Sequence, residues 1–174
     1  MDMVDTERYA RHISLPDVGI TGQKLIDDSR VLVVGAGGLG SPVLMYLAAA
    51  GIGHIGVVDD DAVDLSNLQR QIIHSESAIG RPKVESAKER INSINSAIKV
   101  TTWNARLSPD NAEEILCDWD IVIDGTDNIP TRYLVDDVCN MLGIPWIYGS
   151  IYRFEGQVSF CLLYTSPSPR DQSG

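Results

Sequence analysis

Cysteine is scarce in this 174-residue chain: only Cys117, Cys139 and Cys161 occur, far apart and with no Cys-x-x-Cys pair. That spacing argues against a disulfide framework or a thiolate metal site and leaves each as a buried small hydrophobe or a free thiol. Positive charge is also short, with 14 Lys and Arg against 24 Asp and Glu and a net charge of −10. Nucleic-acid binding needs clustered cations that release counterions, so no nucleic-acid partner is expected. A small anion held by a few local cations stays possible, and the acidity itself bears on solubility rather than function. Long apolar runs are missing as well. The longest, residues 43–52, falls far short of the ~20 residues that span a bilayer. Residues 1–11 are acidic and polar rather than signal-like, so a cytoplasmic protein without membrane association is expected.

What is present is an ordinary core former, 44% hydrophobic and 22% charged, of a length that suits one domain. Residues 6–12 and 23–28 read as short helices that make residues 1–28 an N-terminal helical segment. The main domain, residues 29–163, alternates strands and helices. Continuous apolar runs at 31–34 and 55–58, followed by Gly35 and Asp59, read as strands buried on both faces. Residues 38–50 form a Leu- and Ala-rich helix that Gly51 ends, and 82–94 form another with Pro82 in its first turn. A strand at 100–103 precedes a helix that Ser108 caps with Pro109 at its first position. Further strands at 121–123, 145–151 and 156–163 and a helix at 131–142 complete the pattern. Alternation of this kind predicts an α/β fold: a mainly parallel sheet with helices on both faces. Residues 164–174 are polar and rich in Pro and Ser, start abruptly after an apolar strand, and are expected to be a non-native tail.

Three motifs carry chemistry. Gly35-Ala36-Gly37-Gly38-Leu39-Gly40 matches G-x-G-x-x-G between a strand and a helix. There Gly35 permits the tight turn, Gly37 lets backbone approach a phosphate, and Gly40 lets helix pack on strand. Asp59 follows at the next strand end, about 20 residues on, where a carboxylate holds ribose hydroxyls. A plain Gly-rich turn with a surface Asp is the alternative. The fingerprint does not choose between NAD and ATP, and Ser41 and Pro42 after Gly40 rule out a lysine-bearing phosphate loop. Cations for a polyphosphate must come from elsewhere. Arg70 in Ser66-Asn67-Leu68-Gln69-Arg70 and Lys83 in Gly80-Arg81-Pro82-Lys83 are the candidates, although spacing alone makes both solvated surface groups. Asp124-Gly125-Thr126-Asp127-Asn128 closes a strand on the same side of the sheet, so Asp127 suits magnesium, while Asp127 or Asn128 also suits a helix cap.

In order along the chain stand Arg8-Tyr9-x-Arg11, the glycine motif, Asp59-x-Asp61, Ser66 to Gln71, Ile79-Gly80-x-Pro82-Lys83, Thr126-Asp127-Asn128 and Glu155-Gly156-Gln157. This series, from about residue 6 to 160, resembles the ThiF/MoeB/HesA family, bacterial relatives of ubiquitin-activating enzymes. The resemblance implies a Rossmann-like, ThiF-type nucleotide-binding fold. It also implies ATP- and magnesium-dependent adenylation of the terminal glycine carboxylate of a ubiquitin-like sulfur-carrier protein ending in Gly-Gly. By the same resemblance Gly38 lies against the nucleotide, with Gly35, Gly37 and Gly40 shaping the loop. Asp59 holds the ribose, and Asn67, Arg70 and Lys83 contact the phosphates. Ser66, Leu68, Gln69 and Asn128 complete the nucleotide-binding set, and Asp127 binds magnesium. Arg11 would reach into a neighbouring subunit's site, which makes a homodimer expected; nothing else in the sequence singles it out. His54 and His74 read as structural, and His12 is undecided.

Full-length members of that family continue past Glu155-Gly156-Gln157 with Cys-x-x-Cys pairs for a structural zinc and with the protein-substrate groove. Those ligands are absent here, and the chain on its own is expected to be poorly stable and weakly active or inactive. Two other readings stand beside the adenylyltransferase. One is an NAD-dependent oxidoreductase, for which no catalytic acid or base is identifiable. The other is a non-catalytic nucleotide-binding or dimerisation fragment.

Overall fold

The computed structural model of the protein describes residues 4–161. Two helices, α1 (Ala10–Ile13) and α2 (Gly19–Asp28), precede the strand β1 (Arg30–Val34). There follow α3 (Gly40–Ala50), β2 (His54–Val58), α4 (Lys83–Ile94), β3 (Lys99–Trp103) and α5 (Ala112–Leu116). The order ends with β4 (Ile121–Asp124), α6 (Ile129–Leu142), β5 (Trp146–Tyr152) and β6 (Glu155–Cys161). The strands form one sheet in the order β3-β2-β1-β4-β5-β6, with β5–β6 as its antiparallel pair and the other neighbours parallel. The expected mainly parallel, Rossmann-like architecture is present. Residues 162–163 of the last expected strand and the tail at 164–174 lie outside the described residues.

The central strands explain the apolar runs. Successive strand side chains point to opposite faces, so the buried positions 31–34 of β1 and 55–58 of β2 must be apolar on both faces when both are covered. Leu32, Val34 and Val58 pack into one core with Leu116, Trp119, Val122, Val135 and Cys139 from the α5–α6 side. Val33, Ile55 and Val57 pack into the other with Leu44, Ala48, Val84 and Ile91 of α3 and α4. Fully burying each such side chain contributes ~1.5–3 kcal/mol. Gly51, at φ 86°, ends α3 by letting its N–H reach back to the Leu47 and Ala48 carbonyls.

Several boundaries differ from the sequence reading. The helix expected from Ser108 starts at Ala112, because Asn111 Oδ1 accepts the Ser108 N–H at 2.8 Å and closes a turn there instead. Pro82 has extended geometry, ψ 133°, and caps α4 rather than forming its first residue. The first helix is short because Asp5 Oδ1 takes the Arg8 N–H at 2.9 Å and leaves residues 6–9 in turns. Those early elements are nonetheless tied down. Asn95 Nδ2 donates to the Tyr9 hydroxyl at 2.9 Å, and buried Gln23 donates to the Ala50 carbonyl while accepting from His12 Nδ1.

Candidate nucleotide-binding site

Strand order reverses at β1, whose neighbours β2 and β4 connect to opposite faces of the sheet, and the loops leaving β1 and β4 part there to open a crevice. Around it lies a cleft of about 790 Å³ lined by the loops after β1, β2, β3 and β4. The glycine loop is built by close approach. A Cβ on Gly40 would sit 1.8 Å from the Gly35 carbonyl oxygen, and one on Gly35, at φ 95°, would meet the Gly125 carbonyl oxygen at 3.1 Å. Gly40 therefore lies buried beneath the loop, while Gly35, Gly37 and Gly38 line the cleft.

Asp59 braces this loop from the end of β2. Its Oδ2 accepts the Ala36 N–H at 2.7 Å and its Oδ1 accepts the Asp61 N–H at 2.9 Å. Burial pushes its carboxyl above the ordinary value, with those two N–H groups pulling the other way. His74 braces the loop from below. Because the Ala36 carbonyl only accepts, Nε2 carries the proton and donates at 2.9 Å; Nδ1 then accepts from the Ser86 hydroxyl at 2.9 Å. Burial holds the His74 pKa below its ordinary value. Both contacts give His74 a structural task, as does the bond from His54 to Thr101 at 2.8 Å.

The long loop from β2 to α4 is pinched at its base by Val63 N–H to Arg81 O and Lys83 N–H to Asp61 O, both 2.9 Å. That closure sets Lys83 beside Asp61: Nζ donates to Oδ2 at 2.6 Å, with the lysine side chain only 5% exposed. The fold thus overturns the expectation of a solvated surface cation at this position. Within the loop a 3-10 turn over Leu65–Asn67, capped by Asp64 through the Ser66 N–H at 2.7 Å, presents Asn67 and Arg70 to the cleft. Arg70 Nη2 donates to Asn67 Oδ1 at 3.0 Å, and its stem packs over Gly38. Ser66, Leu68 and Gln69 are not among the lining residues; Gln69 instead donates to the Ser66 carbonyl.

On the far wall Asn128 caps α6, its Oδ1 accepting the Thr131 N–H at 2.9 Å, which leaves Asp127 exposed at the cleft. Arg11 is exposed on α1 and does not line the cleft of its own chain. The sequence reading missed three groups here. Fully buried Asp124 receives the Arg132 Nε–H at 3.1 Å, and Arg132 also donates to the Thr126 and Gly149 carbonyls at 3.0 Å, fastening the wall. Arg106, from the loop after β3, is exposed at the rim. The signal for Arg132 was its place one helical turn after the capping Asn128. Among the described residues the one cluster of potential metal ligands is Asp59, Asp60 and Asp61. Asp59 and Asp61 are already occupied by N–H groups and Lys83, and the cysteines form no such cluster. Among the described residues no helix is long and apolar enough to cross a membrane.

The adenylyltransferase/sulfurtransferase MoeZ of Mycobacterium tuberculosis, a probable assignment, is 54% identical over 155 residues, covering 89% of this chain and 40% of MoeZ. A sulfur carrier protein adenylyltransferase of Thermus thermophilus is 47% identical over 155 residues, covering 89% of this chain and 57% of that protein. The chain thus spans about half the length of these curated relatives. Among solved structures, E. coli tRNA N6-threonylcarbamoyladenosine dehydratase TcdA in complex with ATP superposes with a TM-score of 0.79 at 31% identity, covering 86% of this chain and 63% of TcdA. The family model described as "ThiF family" matches residues 9–171, and the chain belongs to that family.

Proposed function

We propose that this chain provides the ATP site of an enzyme that adenylates the C-terminal glycine carboxylate of a ubiquitin-like sulfur-carrier protein ending in Gly-Gly. The observation that carries the reading is one cleft where the glycine loop, Asp59, two cations and Asp127 converge. The names of the mycobacterial and Thermus relatives, and the ATP complex of TcdA, support the same chemistry.

Gly37 fits a bound triphosphate. A Cβ there would meet nothing closer than Gln71 Nε2 at 3.7 Å, so packing does not require glycine and leaves room for a ligand against the backbone. In the reaction a carboxylate oxygen of the carrier attacks the ATP α-phosphorus. The acyl–oxygen–phosphorus bond forms as the bond to the bridging oxygen breaks, and the electron pair leaves with pyrophosphate. The nucleophile is already ionised at neutral pH, so no general base is needed. Rate comes from alignment and from groups already aimed at the charge. Asp59 orients the ribose while holding the glycine loop. Arg70 and Lys83 face the phosphates, and the Asp61 contact fixes Lys83 before any ligand arrives. Asp127 is the residue that would hold magnesium, its carboxylate spared from capping by Asn128. Bound magnesium offsets negative charge on the triphosphate. Arg11, outside its own chain's cleft, serves the partner's site in a homodimer.

Magnesium-dependent ATP–pyrophosphate exchange, run with a Gly-Gly carrier and repeated with Asp127→Ala, tests this. Exchange that needs the carrier and disappears in the variant is the expected result. ATP binding without exchange would reduce the chain to a nucleotide-binding fragment. Binding of NAD in place of ATP would overturn the reading altogether.

A further inference from the structure

Gln71 has no role in the chemistry above, yet its placement is unusual. It is 3% exposed, it lines the cleft beside Gly37, Gly38, Asn67 and Arg70, and its Oε1 has no hydrogen-bond partner among the described residues. Buried polar side-chain atoms are nearly always paired, so an amide held in a cleft wall without that pairing is placed there for something other than packing. The segment itself is not the explanation. Gln71 N–H donates to the Asn67 carbonyl and its own carbonyl accepts the His74 N–H, so the backbone is satisfied and only the side-chain amide is left over.

The neighbours specify the ligand. The amide lies under Gly37, the position where the fold tolerates a side chain but the sequence has none, and Arg70 stands within the same wall. Space against backbone, a nearby guanidinium and an uncommitted amide are the requirements of a phosphate oxygen. The amide nitrogen already stands on the Gly37 side, 3.7 Å from where a Cβ would lie, so its NH2 can donate there while the oxygen stays buried behind it. Resting on the ATP reading above, we infer that Gln71 is a direct polyphosphate ligand, its side-chain NH2 donating to a phosphate oxygen of the bound nucleotide. The amide that packing leaves uncommitted is then the group the triphosphate engages.

Titration calorimetry of the parent, Gln71→Met and Gln71→Glu with ATP and with adenosine tests the assignment, alongside thermal unfolding. Methionine keeps the volume and removes the unpaired polar atom, so its melting point should match or exceed that of the parent. ATP should bind about tenfold more weakly to Gln71→Met, the loss of one hydrogen bond to a charged group, with adenosine binding unchanged. Gln71→Glu should weaken ATP further by repulsion while also sparing adenosine. Undiminished ATP binding by Gln71→Met, an equal loss for ATP and adenosine, or a melting point well below the parent would each overturn the assignment and leave the ATP site standing. Failure of the parent itself to bind ATP would overturn both.

Discussion

Gly37 and Gly40 stand three residues apart in one motif and are glycine for different reasons. At Gly40 the reason is internal, since a Cβ would overlap the Gly35 carbonyl oxygen at 1.8 Å. At Gly37 the fold offers only an ordinary contact at 3.7 Å, so the reason is external, the approach of a ligand. Alanine should therefore separate stability from binding. Gly40→Ala is expected to destabilise by more than ~2 kcal/mol. Gly37→Ala should stay within about 0.5 kcal/mol of the parent and lose ATP affinity by about tenfold or more. Urea unfolding and ATP titration of the two variants check this, and loss of stability in Gly37→Ala would refute the distinction. The motif itself was legible in the sequence because its spacing is local. The sequence reading assigned the separate tasks of its glycines by precedent, whereas the distances derive them.

At the scale of elements, the long connection from β2 to α4 shows how the site is assembled. It carries Asp59, Asn67, Arg70, Gln71 and His74 and delivers Lys83 to the first turn of α4. His74 joins two elements, taking the Ser86 hydroxyl of α4 on one ring nitrogen and holding the glycine loop through Ala36 with the other. Its folded pKa is lowered, chiefly by burial, so the unfolded chain takes up the proton first as pH falls. The stability this residue contributes is present above its ordinary pKa of 6.5 and is lost as pH drops from there through the lower folded value. Gln in place of His74 should remove that component. The urea midpoint of His74→Gln should fall less steeply between pH 7.5 and 5 than that of the parent. Equal pH slopes would show that His74 does not titrate on unfolding. His54, also lowered by burial, shifts the parent and the variant alike. On this scale the sequence marked helices and strands well and misplaced the start of α5, because Asn111 closes a turn across residues that carry a familiar capping pattern. It also could not show that Lys83 is buried, since burial came from the pinched base of a loop.

For the whole molecule, the central question is whether one chain suffices. Arg11 lies outside its own cleft, and the exposed apolar side chains of the β5–β6 hairpin, among them Phe154 and Val158, are left without cover among the described residues. If Arg11 acts in the partner's site, Arg11→Ala and Asp127→Ala damage different sites of a mixed dimer. Each variant alone should be inactive in carrier-dependent exchange. Unfolding and refolding the two together should restore roughly a quarter of the parent activity, as random pairing leaves one sound site in half the dimers. Absence of recovery, with both variants folded and mixed dimers demonstrated, would place Arg11 in its own chain's chemistry or in none.

By itself the sequence determined what depends on near neighbours: the apolar runs of doubly covered strands, the glycine turn, the acid after β2, and the ordered motifs that identify the family. Tertiary structure alone decided what depends on distant segments meeting. It made Asp59 a brace of the glycine loop, buried Lys83 against Asp61, fastened the far wall through Arg132 and Asp124, and left the Gln71 amide oxygen unpaired. The reason is that hydrogen-bond satisfaction and burial are properties of the packed chain, where partners many residues apart become neighbours, and no local pattern encodes which polar group will find none.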